Sequence, residues 1–279
     1  MRLRTIALLV ALAVVAGVGV AFWRGSGPLP DPEGCRASVD GRSVTLDPEQ
    51  GRNATLIAAI GVRRGLPARA VSIALATAYQ ESKIRNLPSG DRDSLGLFQQ
   101  RPSQGWGTRR EISNPYYSIN AFYDVLAKIK NYQAMRITEA AQKVQRSGFP
   151  EAYQEHAPDA RTLASVLTGY STGGKFTCVV HQPTGHGSGD RVVRQVRQAY
   201  GAIDIARTGT RQDVALHVSG AGGRRLAWSV AQFVVAHGGD LRQDLVAYDG
   251  KRWRTGRHSE EGWTKGSEGS ATRLVIEMG

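Results

Sequence analysis

Only two cysteines occur in the 279 residues, too few for a small scaffold stapled by disulfides. With 41% of residues apolar and 22% charged, the chain has material for a core of its own and lacks the composition of a disordered protein. The histidines, His156, His181, His186, His217, His237 and His258, are scattered without the paired spacing of a zinc site, so no metal is expected. There is no dinucleotide fingerprint and no Gly-x-Ser-x-Gly elbow. Gly173-Gly174 and Gly222-Gly223 lack the lysine or strand context of a phosphate loop and read as turns. No cofactor is implied. Nor is there a basic block. The net charge of +12 is carried mostly by arginine dispersed along the chain, which suits nucleic acid, anionic lipid or acidic wall polymers alike and selects none of them.

The amino terminus narrows the choice. Met1-Arg2-Leu3-Arg4 precedes an apolar run from Ile6 to Trp23, about 18 residues, near the lower limit for a membrane-spanning helix. Arg2 and Arg4 hold the start in the cytoplasm and place the remainder outside. Small residues at Gly19 and Ala21 leave a cleaved signal open, but the run exceeds a usual signal core, so a retained anchor over 1–24 is the expectation. No later run is long and apolar enough to span, which excludes a channel or transporter. Nucleic acid, which would require cytoplasmic exposure, is excluded as a partner. Outside the cell Cys35 and Cys178 are expected to pair, although exported cysteines can also stay reduced.

Residues 25–46, rich in Gly, Pro and charge, read as an extracellular linker with an irregular lead-in. Asp47-Pro48-Glu49-Gln50 then offers an N-cap, a helix-opening proline and a capping-box glutamine, for a helix that Gly65 ends. A second helix runs from Pro67 to Glu81, with Val71, Leu75, Ala78 and Tyr79 on one face. Further helices are expected from Asn114 to Ile129, Thr138 to Gly148, Pro158 to Gly169 and Asp190 to Tyr200. Residues 47–182 form a mainly α domain and 183–212 a helix and linker. Over 213–279 the pattern changes to strands at Val214–Val218, Leu245–Tyr248 and Arg273–Glu277 around an apolar helix from Arg225 to His237, a small α/β (α+β) domain.

The chemistry is concentrated between Glu81 and Trp106. Cleaving a glycosidic bond requires a proton on the leaving oxygen, and a carboxyl group supplies it near neutral pH only if its pKa is raised. Glu81, at a helix end behind an apolar face, meets negative helix carbonyls and desolvation, both of which favour the protonated acid. Asp91 and Asp93 are candidates for a second, water-activating carboxylate, although in a Gly- and Ser-rich loop they also suit turns.

After Glu81-Ser82 comes a loop with Asn86, Gly90 and Ser94, then Gly96-Leu97-Phe98-Gln99. Here the sequence resembles the lytic transglycosylase and goose-type lysozyme superfamily, whose catalytic segment runs Glu-Ser, a loop, then Gly-Leu-Met-Gln; Phe98 replaces the methionine. The resemblance spans roughly residues 47 to 170 and implies a lysozyme-like fold in which Glu81 protonates the leaving oxygen of a peptidoglycan strand and then takes the proton of the sugar's own 6-hydroxyl. It implies substrate-binding roles for Ser82, Ser94, Gln99 and Gln100, with Asn120 as the asparagine of the family's Asn-Ile helix. The string Gln99-Gln100-Arg101-Pro102-Ser103-Gln104-Gly105-Trp106-Gly107 is similar to a variant from actinobacterial wall enzymes, with Trp106 as a ring on which a sugar can stack. The family's Ala-Tyr-Asn-Ala-Gly segment, whose tyrosine contacts the glutamate, is matched best by Val144-Gln145-Arg146-Ser147-Gly148, so that Gln145 stands at the tyrosine position. Gly169-Tyr170-Ser171-Thr172-Gly173 is a second candidate.

In the carboxy-terminal part, Trp228, Phe233, Tyr248, Trp253 and Trp263 offer a binding face, with Trp228 placed in the core by its helical spacing. Tyr248-Asp249-Gly250-Lys251 reads as a tight turn. This segment resembles a small domain found beside actinobacterial wall-active modules, and a wall or protein contact is its expected role. The sequence therefore points to a membrane-anchored muramidase or lytic transglycosylase. A lysozyme-like wall-binding scaffold that has lost catalysis is the alternative.

Overall fold

The computed structural model describes residues 30–149, 151–208 and 212–279. The amino-terminal apolar run, and with it the choice between anchor and cleaved signal, lies outside them. Among the described residues no helix is long and apolar enough to cross a membrane.

The chain enters through a β-hairpin, β1 (Gly34–Val39) and β2 (Arg42–Leu46), where the composition suggested an irregular lead-in. Its inward residues include Cys35 and Ala37, too small to produce a marked apolar alternation, and its second partner is distant in sequence. That partner, β3 (Phe176–Val179), completes an antiparallel sheet in the order β2-β1-β3, with Cys35 directly opposite Cys178. The two cysteines form a disulfide.

Helix α1 (Pro48–Arg63) starts where its caps require: the Asp47 carboxylate accepts from the Gln50 amide, and the Gln50 side chain accepts in return from the Asp47 amide. After Pro67, α2 (Ala68–Ser82) is buried along most of its length, from Ala70 to Ala78. It stops because Lys83 and Ile84 both turn left-handed, with φ of 56° and 60°. A short α3 (Arg109–Ile112), α4 (Pro115–Lys128), α5 (Ile137–Gln145) and α6 (Ala157–Leu167) follow. Then comes α7 (Gly189–Tyr200), and the ends of these long helices fall close to the residues their capping and breaking signals mark.

The carboxy-terminal part is α+β. Strands β4 (Ile205–Arg207), β5 (Val214–His217), β6 (Gln243–Tyr248), β7 (Lys251–Arg254), β8 (Thr264–Lys265) and β9 (Arg273–Met278) form one antiparallel sheet in the order β4-β5-β9-β6-β7-β8. Helix α8 (Gly220–Ala236) and the short α9 (Gly238–Leu241) are inserted between β5 and β6. Asp249 and Gly250 make the two-residue β6–β7 turn, both at positive φ as a type I′ hairpin demands.

The expected aromatic binding face is absent from this part. Tyr248 and Trp253 are fully buried and Phe233 lies in the core, with Trp228 edge-on to both Tyr248 and Trp263. Their polar atoms explain the burial. The Trp253 indole donates to the Cys178 carbonyl at 3.0 Å and the Trp263 indole to the Phe176 carbonyl at 2.8 Å, so two tryptophans satisfy the free side of β3. Residues Glu33–Gly279 thus form one compact unit.

Candidate active site

Glu81 sits on the last turn of α2, and the chain that follows folds back around it. The Ser82 hydroxyl donates within the helix end to the Ala78 carbonyl and across to the Leu97 carbonyl at 2.8 Å. It ties the Gly96-Leu97-Phe98-Gln99 segment to the residue after the glutamate. Gly96 has φ +79°, and a Cβ there would lie 2.9 Å from the Ile112 carbonyl oxygen, so only glycine fits. Leu97 and Phe98 are buried, and Phe98 stacks on Phe122 of α4 with ring centroids 4.4 Å apart. On the other side Arg85 reaches both Asp47 and Glu49 at the start of α1, while the Glu49 carboxylate accepts from the Asn86 amide at 3.1 Å.

The Tyr153 hydroxyl donates to Glu81 Oε1 at 2.7 Å. A phenol therefore contacts the glutamate, but from neither position considered in the sequence. Tyr153 lies on a single 3₁₀ turn, Ala152–Gln154, between α5 and α6. The available signal was the dipeptide Ala152-Tyr153, which begins as the family's Ala-Tyr-Asn-Ala-Gly segment does. Gln145 is present as well, at the end of α5: its amide donates to the Phe98 carbonyl at 2.7 Å, and the same side chain lowers the pKa of Glu81. Tyr170, the other candidate, belongs to a different part of the surface, where it is 59% exposed.

Burial raises the pKa of Glu81, and the hydrogen bonds from Tyr153 and then Gln145 oppose that rise without cancelling it. The result is a carboxyl group biased toward its protonated form and held in a fixed orientation. Burial, the neighbouring Glu81 charge and the bond to Glu81 in turn push the Tyr153 phenol well above its ordinary range, so it stays a donor. Beside this pair the His156 ring hydrogen-bonds Gln80 at 2.8 Å and lies against Tyr79 with centroids 4.6 Å apart.

The remaining candidates divide. Ser94 is buried and donates to the Asp91 carbonyl at 2.7 Å and to Gln99 Oε1 at 3.0 Å, while Gln99 donates to the Gly96 carbonyl. Gln100 is buried and donates to the Ser118 carbonyl. The Gln99 amide closes the loop on itself, and the Gln100 amide ties it to α4. Trp106 is half-buried against the core. Asn120 is not brought to the site. Its amide oxygen accepts from Arg63 and Arg64 at the far end of α1, and its nitrogen donates to the Tyr116 carbonyl. Asp93 is committed elsewhere: the Ser103 amide, the Arg101 guanidinium and the Ser103 hydroxyl bond it and hold its carboxyl well below the usual range. Asp91 is exposed beside Arg92. Asp93 is thus occupied by its own loop, while Asp91 stays open to solvent.

No model of a known protein family matches the chain, and no curated protein matches it. Among the described residues no cluster of three or more His, Cys, Asp or Glu side chains could hold a metal ion.

Proposed function

We propose that this chain is a peptidoglycan-cleaving glycosidase of the lytic transglycosylase type, with a lysozyme-like helical part and Glu81 as its single general acid and base. The observation that carries this reading is Glu81 itself: a carboxyl group whose pKa burial raises, oriented by a 2.7 Å bond from Tyr153, and followed by Ser82 pinned to the Gly-Leu-Phe-Gln loop. The engagement of Asp93 with Arg101 and Ser103 argues against an inverting hydrolase, which would require a second carboxylate.

In the reaction, Glu81 gives its proton to the oxygen leaving the muramic acid carbon of the MurNAc–GlcNAc bond as that bond breaks. The carboxylate then accepts the proton of the sugar's 6-hydroxyl while that oxygen bonds to the same carbon. A 1,6-anhydro end forms, no water is consumed, and Glu81 returns to its starting state. The chain's positive charge suits an acidic wall. The amino-terminal segment is its membrane anchor, and the bulk of the chain is extracellular.

A wall-binding scaffold without catalysis remains the second reading, favoured by one observation: the amides of Gln99 and Gln100, expected to face sugars, donate instead to the Gly96 carbonyl and to the Ser118 carbonyl of α4. Digestion of purified peptidoglycan by the chain and by its Glu81→Gln variant separates the two. Anhydro-muropeptides in the first digest and none in the second are expected. Reducing ends would make it a hydrolase, and the absence of any fragment, with both proteins sedimenting with the wall, would leave the scaffold.

A further inference from the structure

Two open cavities of about 610 Å³ and 370 Å³ share one wall, Tyr170. Tyr170 is among the few large hydrophobic side chains left exposed, and it is held in place. Gly169, at φ +77°, lies so close to the start of α8 that a Cβ would come within 2.2 Å of the Arg225 carbonyl oxygen. The Arg225 guanidinium then sits over the Tyr170 ring, 4.9 Å from its centroid. Arg224 and Arg225 line the larger cavity, and Arg69 and Arg161 line the smaller.

No acidic residue lines either cavity, and the first turn of α8, which directly precedes Arg224 and Arg225, contains none. Among the described residues none of the four arginines is ion-paired to a carboxylate. Arg69 donates only to the Met135 carbonyl, and burial, then the like charge of Arg161, lowers its pKa. Four guanidiniums around one exposed ring form an uncompensated positive platform. Each planar fork matches a carboxylate, and the ring matches the apolar face of a sugar or a peptide body.

We infer that the Tyr170 platform is a second, non-catalytic binding site for peptidoglycan that takes the free carboxylates of its stem peptides. The identity of the polymer rests on the function proposed above; the site does not depend on Glu81 chemistry. Arg69 and Glu81 lie on the same helix, about 18 Å apart along its axis, too far for one sugar to touch both. An extended peptide of about five residues spans roughly 17 Å, so a stem, or a neighbouring strand, supplies the carboxylate. The ring separates this occupant from a bare phosphodiester polymer, which offers charge without an apolar face.

The test measures sedimentation binding in the Glu81→Gln background, so that the polymer is not cut. The probes are peptidoglycan with stems intact, the same material stripped of stems by an amidase, and a wall-type phosphodiester polymer as competitor. Tyr170→Ala and the double Arg224→Gln/Arg225→Gln variant should each bind intact peptidoglycan about tenfold more weakly, with unchanged circular dichroism. The parent should lose a similar factor on stripped strands, where the variants lose nothing further. Equal binding of variants and parent, or of intact and stripped strands, overturns the inference, and stronger competition by the phosphodiester polymer assigns the platform to phosphate instead. Cleavage by the Glu81 chain is scored separately: binding that depends on Tyr170 without any cleavage defeats the catalytic reading alone, and cleavage with binding indifferent to Tyr170 defeats this one alone.

Discussion

Glu81 stands between opposing influences, and their balance is measurable. Desolvation favours the acid, whereas the Tyr153 donor favours the carboxylate, because a hydroxyl that points its proton at an oxygen stabilises negative charge there. Tyr153→Phe removes the second influence and leaves the first, so the pKa of Glu81 rises further. The protonated acid then persists to higher pH, and the alkaline limb of the kcat/KM profile moves upward while the maximum falls by about tenfold as the carboxyl loses its orientation. A limb that stays in place or moves to lower pH would show that the phenol does not tune this group. The same group affects stability. A folded-state pKa raised above the unfolded value means that stability is fully present below the ordinary carboxyl range and is lost as pH rises through the folded pKa. Glu81→Gln lacks this loss, so its melting temperature should exceed that of the parent at pH 7 and approach it near pH 4.

His237 gives the opposite pH dependence. It is fully buried at the end of α8, with Nδ1 2.8 Å from the Phe233 carbonyl and its ring stacked on Phe233. Burial depresses its pKa to about 4. A histidine so depressed is neutral in the folded state while the unfolded chain takes up a proton, so stability falls as pH drops from about 6.5 toward 4, by roughly 3 kcal/mol for a single group. His237→Gln should flatten that part of an acid-unfolding curve followed by tryptophan fluorescence. An unchanged slope would place the acid sensitivity elsewhere.

At the scale of elements, the loop after Glu81 is a backbone device held by a few contacts. Gly96→Ala would force a left-handed φ on a residue with a Cβ and drive that Cβ against the Ile112 carbonyl. A loss of about 1–3 kcal/mol in urea unfolding is expected, together with a larger loss of cleavage, since the segment tied to Ser82 must shift. The helices were legible because their signals are local: the Asp47–Gln50 capping box and the Asn114 cap, which accepts from the Tyr116 amide, each act within one turn. The spacing from Glu81 to Gln99 was legible in another way, through its resemblance to a family pattern. Tyr153 was not. It stands on an isolated 3₁₀ turn after α5 has already ended at Gln145, so helix-end reasoning stopped one loop too early. Asn120 is a different case. It lies on the helix expected for it, but its side chain serves Arg63 and Arg64. Strands β1 and β3 were hidden because their pairing is a long-range event between short segments; the expected Cys35–Cys178 bond linked the two segments without marking either as a strand.

For the whole molecule, the disulfide and the two tryptophans join segments that a reading by composition separates. Cys35 and Cys178 close a loop with a sequence separation of 143, worth on the order of 4–5 kcal/mol by chain entropy, so reduction should lower the melting temperature by about 10 °C or more. Around that bond, β3 gives its Cys178 and Phe176 carbonyls to Trp253 and Trp263, and the Leu167 carbonyl at the end of α6 accepts from Ser229 of α8 at 2.6 Å. Ser229 also meets the Tyr200 hydroxyl, so the last turns of α6 and α7 share one buried polar group on α8. A fragment that ends at Gly201 keeps Glu81, Tyr153 and both cysteines, yet it gives three carbonyls up to water and uncovers the apolar face on which α8 packs. Apolar surface returned to water costs about 25 cal/mol per Å², so uncovering a few hundred square ångströms costs a sum comparable to the net stability of a domain. The fragment should therefore show no cooperative thermal transition and no cleavage of peptidoglycan, although every residue of the candidate active site is present. A sharp transition with activity retained would mean that the helical part stands alone and that these contacts merely dock the carboxy-terminal sheet against it.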